Sequence, residues 1–296
     1  SLFSSSNADG ASATRRGAMA RAEVLSQLDR NADAVQSLRL AFGDATDPEL
    51  DGLLAALESG KKVPFTHATS ASDGIAEVFY SLGGALRGEA DADYTLLYGR
   101  LAYALRPDHI DALLLNAKLL EELGQFGLAI EVYKKVPSAD TASHASELGR
   151  AAALRSLGKP DAAIEVLRQL AHRFPKMAIV HSTLGDALRS QDRFTKAVSS
   201  YDRALELIPE GSRGRWFVLY ARAIAHERLD NWEKAEADFR AALELNPEHP
   251  QVLNYLGYSM VEKQINLAEA LDMIERAVAA RPDSGFIVDS LGWILY

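Results

Sequence analysis

Apolar and polar positions alternate with a helical period through most of the chain, and the apolar stretches come in pairs. Between residues 178 and 209 the apolar positions form two groups with helical spacing, separated by the polar turn 191–193. The first group is Leu184, Gly185 and Leu188, and the second is Ala197, Val198, Tyr201 and Ala204. This pattern predicts two amphipathic helices joined by a turn.

Small residues recur at a nearly constant step. The first series is Gly83, Ala117, Ala151, Gly185, Ala223, Gly257 and Gly292, and subtraction gives steps of 34, 34, 34, 38, 34 and 35. A parallel series is Thr95, Ala129, Ala163, Ala197, Ala235 and Ala270, and the pairs end at Pro107, Pro175, Pro209, Pro247 and Pro282. Small residues let two helix axes approach closely, and proline ends a helix. A 34-residue period predicts an array of helix-turn-helix repeats.

These residues resemble the tetratricopeptide repeat family, from about Ile75 to the end of the chain. One unit carries Leu184-Gly185, Ala197, Tyr201, Ala204 and Pro209; the next two carry Ala223, Ala235, Phe239, Ala242 and Pro247, then Leu256-Gly257, Ala270, Ile274, Ala277 and Pro282. The resemblance implies an all-α, right-handed superhelical solenoid of antiparallel helix pairs. Thr95 and Gly99 depart from it, since an alanine and an aromatic residue are expected at those two places.

The organisation expected along the chain has three parts. Residues 1–14 are rich in Ser, Ala, Asn and Gly, which predicts a disordered segment or a tag remnant. Residues 15–74 are expected to form one or more degenerate helical repeats that end in a loop at 61–73. Residues 75–296 are expected to hold about six repeats in one continuous domain, with a loop insertion at 210–215 and the first helix of a seventh repeat. We expect this last helix to be open through truncation, or buried in a homodimer.

Composition narrows the classes of partner. The net charge of −9 disfavours nucleic acid, because binding to phosphates needs a basic surface. No apolar run approaches the roughly 20 residues of a membrane helix, so no membrane insertion is expected. The absence of cysteine removes disulfides and thiolate-bound zinc. The C-terminal run is similar to that of long alphaproteobacterial tetratricopeptide proteins, many of them exported, which favours the bacterial envelope or periplasm over the cytoplasm.

The sequence contains no recognisable catalytic or metal-binding arrangement. Its seven histidines form no H-E-x-x-H motif, and neither G-x-S-x-G nor a P-loop occurs. We therefore expect no enzymatic activity, cofactor or metal, and instead a scaffold or adaptor with a protein or peptide partner. Two alternatives stay open, a substrate-recruiting region of a larger enzyme and a self-associating structural module.

The family resemblance implies that the first helix of each pair lines a concave groove, with residues one and four after the recurrent small residue facing it. A basic part is then expected, formed by Arg87, Lys118, Arg155 and Arg189. The C-terminal half is expected to hold an aromatic part, formed by Tyr220, Asn254, Tyr255, Tyr258, Phe286 and Trp293. Such a groove suits a peptide with an acidic stretch and apolar anchors. Alternatively, the aromatic residues pack between repeats and local carboxylates neutralise the arginines. The Lys/Asn/Arg clamp with which some members bind acidic chaperone tails is absent.

Overall fold

The computed structural model of the protein describes residues 14–43 and 48–295, which contain sixteen α-helices and no β-strand. The predicted disordered segment, apart from Thr14, lies outside these residues. The described chain divides after Gly158 into two compact units, here called unit 1 and unit 2. The sequence led us to expect one continuous domain. In a repeat array each helix contacts only its neighbours, so a chain of this kind can be divided into compact units between two successive helices.

Unit 1 contains eight helices. They are α1 (Arg15–Gln27), α2 (Asn31–Phe42), α3 (Pro48–Glu58), α4 (Ala71–Leu86), α5 (Ala92–Leu105), α6 (Ile110–Glu122), α7 (Phe126–Tyr133) and α8 (Ser143–Ser156). The first three helices share a core of their own, composed of Met19, Ala22, Leu25, Ala34, Leu38, Leu50 and Leu57. Helices α4 to α7 contain the first two pairs of the periodic pattern.

Helix α4 begins at Ala71, two residues before Asp73, the last residue of the predicted loop. The hydroxyl of Ser70 accepts a hydrogen bond from the Asp73 backbone N–H at 3.1 Å, and the Asp73 carboxylate accepts one from the Ser70 N–H at 3.0 Å. This capping box satisfies two N–H groups that a helix start otherwise leaves without partners. The loop therefore ends at Ser70, because residues 71–73 form the first turn of the helix.

Unit 2 contains the remaining eight helices. They are α9 (Pro160–Arg173), α10 (Ala178–Arg189), α11 (Phe194–Leu207), α12 (Arg215–Glu227), α13 (Trp232–Leu245), α14 (Pro250–Glu262), α15 (Leu267–Ala280) and α16 (Gly285–Leu295). Pro175, Pro209, Pro247 and Pro282 each stand two residues beyond the end of a helix. The longest connection between helices of unit 2 spans residues 208–214, where the step of 38 residues predicts an insertion.

Most of the recurrent small residues are buried where a first helix and a second helix pack together, whereas Gly292 is exposed on α16. Ala117, Ala151 and Ala223 are fully buried, and so are the alanines of the parallel series. A Cβ atom added to Gly185 would lie only 2.5 Å from a ring carbon of Tyr201, whose side chain is itself fully buried. The first-helix glycine therefore makes room for the aromatic ring of the second helix.

The absence of an aromatic residue at Gly99 has a local cause. The side-chain amide of Asn116 donates a hydrogen bond to the Gly99 carbonyl at 3.0 Å. A Cβ atom at position 99 would lie 2.2 Å from the Asn116 Oδ1 atom. The asparagine of α6 thus fills the space that a large side chain takes in the other repeats.

Replacing Gly185 with alanine is expected to lower the free energy of unfolding by about 1–2 kcal/mol, because overpacking outweighs the higher helix propensity of alanine. The control is Gly84→Ala, since an added Cβ there meets nothing within 4 Å. This control is expected to raise stability by up to about 1 kcal/mol. Urea denaturation followed by far-ultraviolet circular dichroism measures both. Equal effects of the two substitutions would contradict the close-packing role of Gly185.

Candidate functional site

Unit 2 has an open groove with a cavity of about 510 Å³. The residues that line it come from α10, α12, α14 and α16, from the start of α11, and from the turns that follow α10, α12 and α15. They are Arg189, Asp192, Phe194, Tyr220, Ile224, Arg228, Gln251, Tyr255, Arg281, Ser284, Phe286 and Ile287. The cavity has a volume in the range typical of sites that bind small ligands or side chains.

The groove-lining residues follow the repeat register. Ile224 lies one residue after a recurrent small residue and Arg189 lies four after another, as the family resemblance implies. The structure adds two further positions, since Tyr220 lies three residues before the small residue, and Gln251 and Phe286 lie six before it. The 34-residue period alone would have found this last position, had it been extended towards the start of each first helix.

The same extension identifies two further apolar side chains in unit 2. Ile179 and Phe217 lie six residues before Gly185 and Ala223, and they are 55% and 46% exposed. Phe286 holds the corresponding place on α16 and is 68% exposed. Large apolar side chains are therefore presented at one register position of three first helices.

Two tyrosines of the groove stand on a fully buried phenylalanine. The Tyr220 and Tyr255 rings meet edge to face with centroids 6.1 Å apart, and the Phe239 ring lies 6.0 and 5.5 Å from them. Burial raises the pKa of Tyr220 to about 12, and burial together with Glu227 raises the pKa of Tyr255. Both hydroxyls therefore keep their protons at neutral pH and can donate hydrogen bonds.

Cations outnumber anions in the groove, where three arginines face one carboxylate, Asp192. Arg189 donates to the Tyr201 hydroxyl at 3.1 Å and lies 3.6 Å from Asp186, while Arg281 lies 3.4 Å from Asp283. In the described part of the chain, Arg228 has no carboxylate within ion-pairing distance. The lining thus has a positive charge, although the chain as a whole is acidic.

Three of the predicted groove residues of unit 2 do not line the cavity. Asn254 is fully buried, which differs from its expected place on the surface. Tyr258 donates a hydrogen bond to Glu262 at 2.8 Å, and Trp293 is 56% exposed on α16. The predicted residues that the structure brings together are Arg189, Tyr220, Tyr255 and Phe286.

The predicted cations of unit 1 differ in their surroundings. The guanidinium of Arg87 donates twice to the Glu122 carboxylate, at 2.8 and 2.6 Å. Local neutralisation, the alternative interpretation of the arginines, therefore applies to Arg87, and also to Arg189, which lies 3.6 Å from Asp186. Lys118 and Arg155 are exposed, and neither is ion-paired with another of the residues that the structure describes. The basic series of four residues as a whole stays a prediction.

Two other features are absent from residues 14–43 and 48–295. No group of three or more histidine and carboxylate side chains in these ranges is placed to hold a metal ion. None of the helices in these ranges is both long enough and apolar enough to span a membrane.

Residues 148–249 contain two matches to a known family of repeats. Two family profiles described as "Tetratricopeptide repeat" match residues 148–212 and 216–249. Tetratricopeptide repeats are therefore present in these two stretches of the chain. A TPR repeat-containing protein of Pseudomonas aeruginosa is 28% identical over 190 residues, which cover 63% of this chain and 31% of the relative. Small glutamine-rich tetratricopeptide repeat-containing protein 2 of Mycosarcoma maydis is 36% identical over 84 residues, covering 28% of this chain and 24% of the relative. The tetratricopeptide chain thus spans less than a third of either relative.

Solved structures show the same fold. A chain of the APC/C hetero-tetramer Cut9-Hcn1 aligns over 96% of this tetratricopeptide chain and 56% of its own length, with a TM-score of 0.63 and 15% identity. PilF of Pseudomonas aeruginosa aligns over 74% of this chain and 98% of its own, with a TM-score of 0.60 and 16% identity. The predicted fold class, an all-α array of tetratricopeptide helix pairs, is confirmed. Such arrays are in general protein–protein interaction scaffolds, and the fold family is generally non-catalytic.

Proposed function

We propose that the groove of unit 2 binds an extended segment of a partner protein that carries a carboxylate side chain beside apolar anchors. The observation that supports this most is the meeting of three arginines with two tyrosines and Phe286 around one open cavity. A groove built only for packing would be closed and would not hold an excess of cations.

The chemistry of the lining suits such a segment. A guanidinium binds a carboxylate through two parallel hydrogen bonds, which fix direction as well as adding affinity. Tyrosine rings contribute a large contact area with little loss of conformational entropy, and they are enriched among the residues that dominate binding energy. Arg228 is the cation best placed for this role, because in unit 2 as described it forms no ion pair.

The exposed apolar series gives the segment a direction. Ile179, Phe217 and Phe286 hold one register position on α10, α12 and α16, and Gln251 holds it on α14. A segment that crosses the first helices one after another would meet an apolar contact on three of them.

Charge reversal at Arg228 tests the proposal. The probe is a defined set of twelve-residue peptides with one Asp or Glu beside Phe, Tyr or Leu, together with matched Asn and Gln peptides. The full chain is expected to bind members of the acidic set. Arg228→Glu is expected to lower the affinity for these peptides about 10- to 100-fold, because a charge-assisted pair becomes a repulsion. Fluorescence anisotropy measures the affinities.

The matched control is Arg213→Glu, which makes the same charge change at an exposed residue of the 208–214 connection, outside the cavity lining. It is expected to leave the affinities almost unchanged. The proposal is wrong if no acidic peptide binds, if the Asn and Gln peptides bind equally well, or if the two charge reversals have equal effects.

Self-association through α16 is a second candidate function. Its supporting observation is that Val288, Trp293 and Leu295 are large apolar side chains exposed on this one helix. The role of a substrate-recruiting region in a larger enzyme likewise stays a prediction, and a catalytic domain in the flanking sequence would support it.

A further inference from the structure

Helix α1 inserts a single arginine into the first-helix surface of α4 and α6. The guanidinium of Arg16 pairs with both oxygens of the Glu77 carboxylate, with Nε 3.0 Å from Oε2, and a third nitrogen donates to Asp111. The same guanidinium lies over the Tyr80 ring, 5.7 Å from its centroid. All these residues belong to unit 1, and Arg16 is 61 positions from Glu77 in the sequence.

The residues that hold Arg16 occupy the register positions that line the cavity of unit 2. Glu77 and Asp111 lie six residues before Gly83 and Ala117, as Gln251 lies before Gly257. Tyr80 lies three residues before Gly83, as Tyr220 lies before Ala223. The face that is open in unit 2 is therefore covered in unit 1 by a segment of the chain itself.

The attachment of α1 to α4 and α6 is polar. Helices α1 to α3 have a core of their own, and the loop 61–70 joins them to the repeats. Glu23 of α1 accepts hydrogen bonds from Thr66 in this loop at 2.9 and 2.8 Å, while Arg106 donates to the carbonyls of Thr66 and His67. Polar contacts of this kind lose less free energy on separation than a buried apolar interface of equal size, since water replaces the partners.

We propose that Glu77, Tyr80 and Asp111 form a binding site for an arginine side chain, which Arg16 fills from within the chain, so that α1 and an arginine-bearing segment of a partner exclude each other. This site lies in unit 1 and does not depend on the peptide groove of unit 2.

The exchange of one arginine for another is close to balanced in free energy, because the same ion pairs form before and after it. Burial alone would raise the pKa of Glu77, but His109 and Arg16 outweigh it and lower the pKa to about 2, so the carboxylate is charged at neutral pH. Arg106 lies 3.3 Å from the same carboxylate and compensates part of its charge during the exchange. The advantage of Arg16 is that of a tethered ligand, whose effective concentration is on the order of millimolar.

Removal of Arg16 in the full chain tests the proposal. The probe is N-acetylarginine amide, and its uncharged near-isostere N-acetylcitrulline amide is the matched ligand. Arg16→Ala is expected to bind the arginine derivative at least about 10-fold more tightly than the wild type does, because the tethered competitor is gone. Calorimetric titration measures the affinity. The double variant Arg16→Ala/Glu77→Gln is expected to lose the increase in affinity for the arginine derivative.

The control variant is Arg15→Ala, which removes the neighbouring arginine that pairs with Glu49 instead. It is expected to behave as the wild type. If circular dichroism shows that Arg16→Ala loses helical structure, Arg16→Met is used, since its side chain keeps the apolar stem. The proposal is overturned if the folded variant binds the arginine derivative no better than the wild type does, or if the citrulline derivative binds equally well. Neither outcome affects the proposal for the groove of unit 2.

Discussion

Replacing Phe239 with alanine is expected to lower the free energy of unfolding by about 3–5 kcal/mol. The Phe239 side chain is fully buried on α13, so its truncation removes a complete ring from the core and leaves a cavity. The rings of Tyr220 and Tyr255 lie against it and lose their support. Urea denaturation followed by far-ultraviolet circular dichroism measures the loss as a lower transition midpoint.

The matched control is Phe286→Ala, which removes the same ring from a side chain that is 68% exposed. Its effect on unfolding is expected to stay within about 0.5 kcal/mol, as for most surface substitutions. This substitution is instead expected to lower the affinity of the unit 2 groove for the acidic peptides, since Phe286 lines the cavity. Similar losses of stability from the two substitutions would show that Phe239 is not the support of the groove.

The two phenylalanines show how the core and the binding surface are connected. Phe239 stands four residues after a recurrent alanine of the second helix and fills the space behind the first helix. The tyrosines that it supports present their opposite edges to the cavity. The position of the groove tyrosines is therefore set by core packing, which is a rigid form of support for a binding site.

Much of the core follows from the sequence, because one physical demand recurs in every repeat. Close approach of two helices requires a small residue to face a large one, and Gly185 of α10 and Tyr201 of α11 meet that demand. Tyr201 and Ala197, which lies one turn before it on α11, are both fully buried. A requirement repeated at a fixed step is visible without any alignment. The prediction of buried alanines and aromatic residues is accordingly confirmed at these positions.

The candidate site was less predictable, because parts of it do not repeat. Arg228 and Arg281 are the residues that follow α12 and α15, and arginine does not recur at these two places in the neighbouring repeats, so no period reveals them. Arg16 belongs to a helix outside the periodic region and reaches Glu77 across 61 positions. Asn254 was expected on the groove surface from its first-helix position, but it is fully buried, because burial depends on neighbouring helices that a register along one helix does not show.

Replacing Arg222 with alanine is expected to lower the free energy of unfolding by about 3 kcal/mol. The guanidinium on α12 makes two hydrogen bonds of 2.7 Å to Asp238 on α13 and one of 2.7 Å to Asp202 on α11. The Asp238 side chain is only 9% exposed, so truncation of Arg222 leaves a nearly buried carboxylate without its cation. Denaturation with urea at pH 7 measures the loss.

Arg276→Ala is the control for this substitution. Arg276 on α15 also pairs with two carboxylates, Glu248 and Asp272, but its side chain is 41% exposed and both partners are more exposed still. Surface ion pairs contribute at most about 1 kcal/mol, because water screens them and replaces their hydrogen bonds. An equally small effect of Arg222→Ala would mean that burial of Asp238 does not matter.

The loss in Arg222→Ala is expected to shrink as the pH falls from about 7 to about 5.5, where histidines titrate. Burial lowers the pKa of His226, Arg222 and Lys234 lower it further, and Asp238 and Asp202 raise it. In the wild type, folding therefore favours neutral His226, and this stability is lost as the pH falls below the unfolded pKa. Without Arg222 the pKa of His226 rises, so its proton supplies the charge that Asp238 lacks. The double variant Arg222→Ala/His226→Gln cannot take up that proton, and a loss that shrinks equally in this variant would exclude His226 as the compensating group.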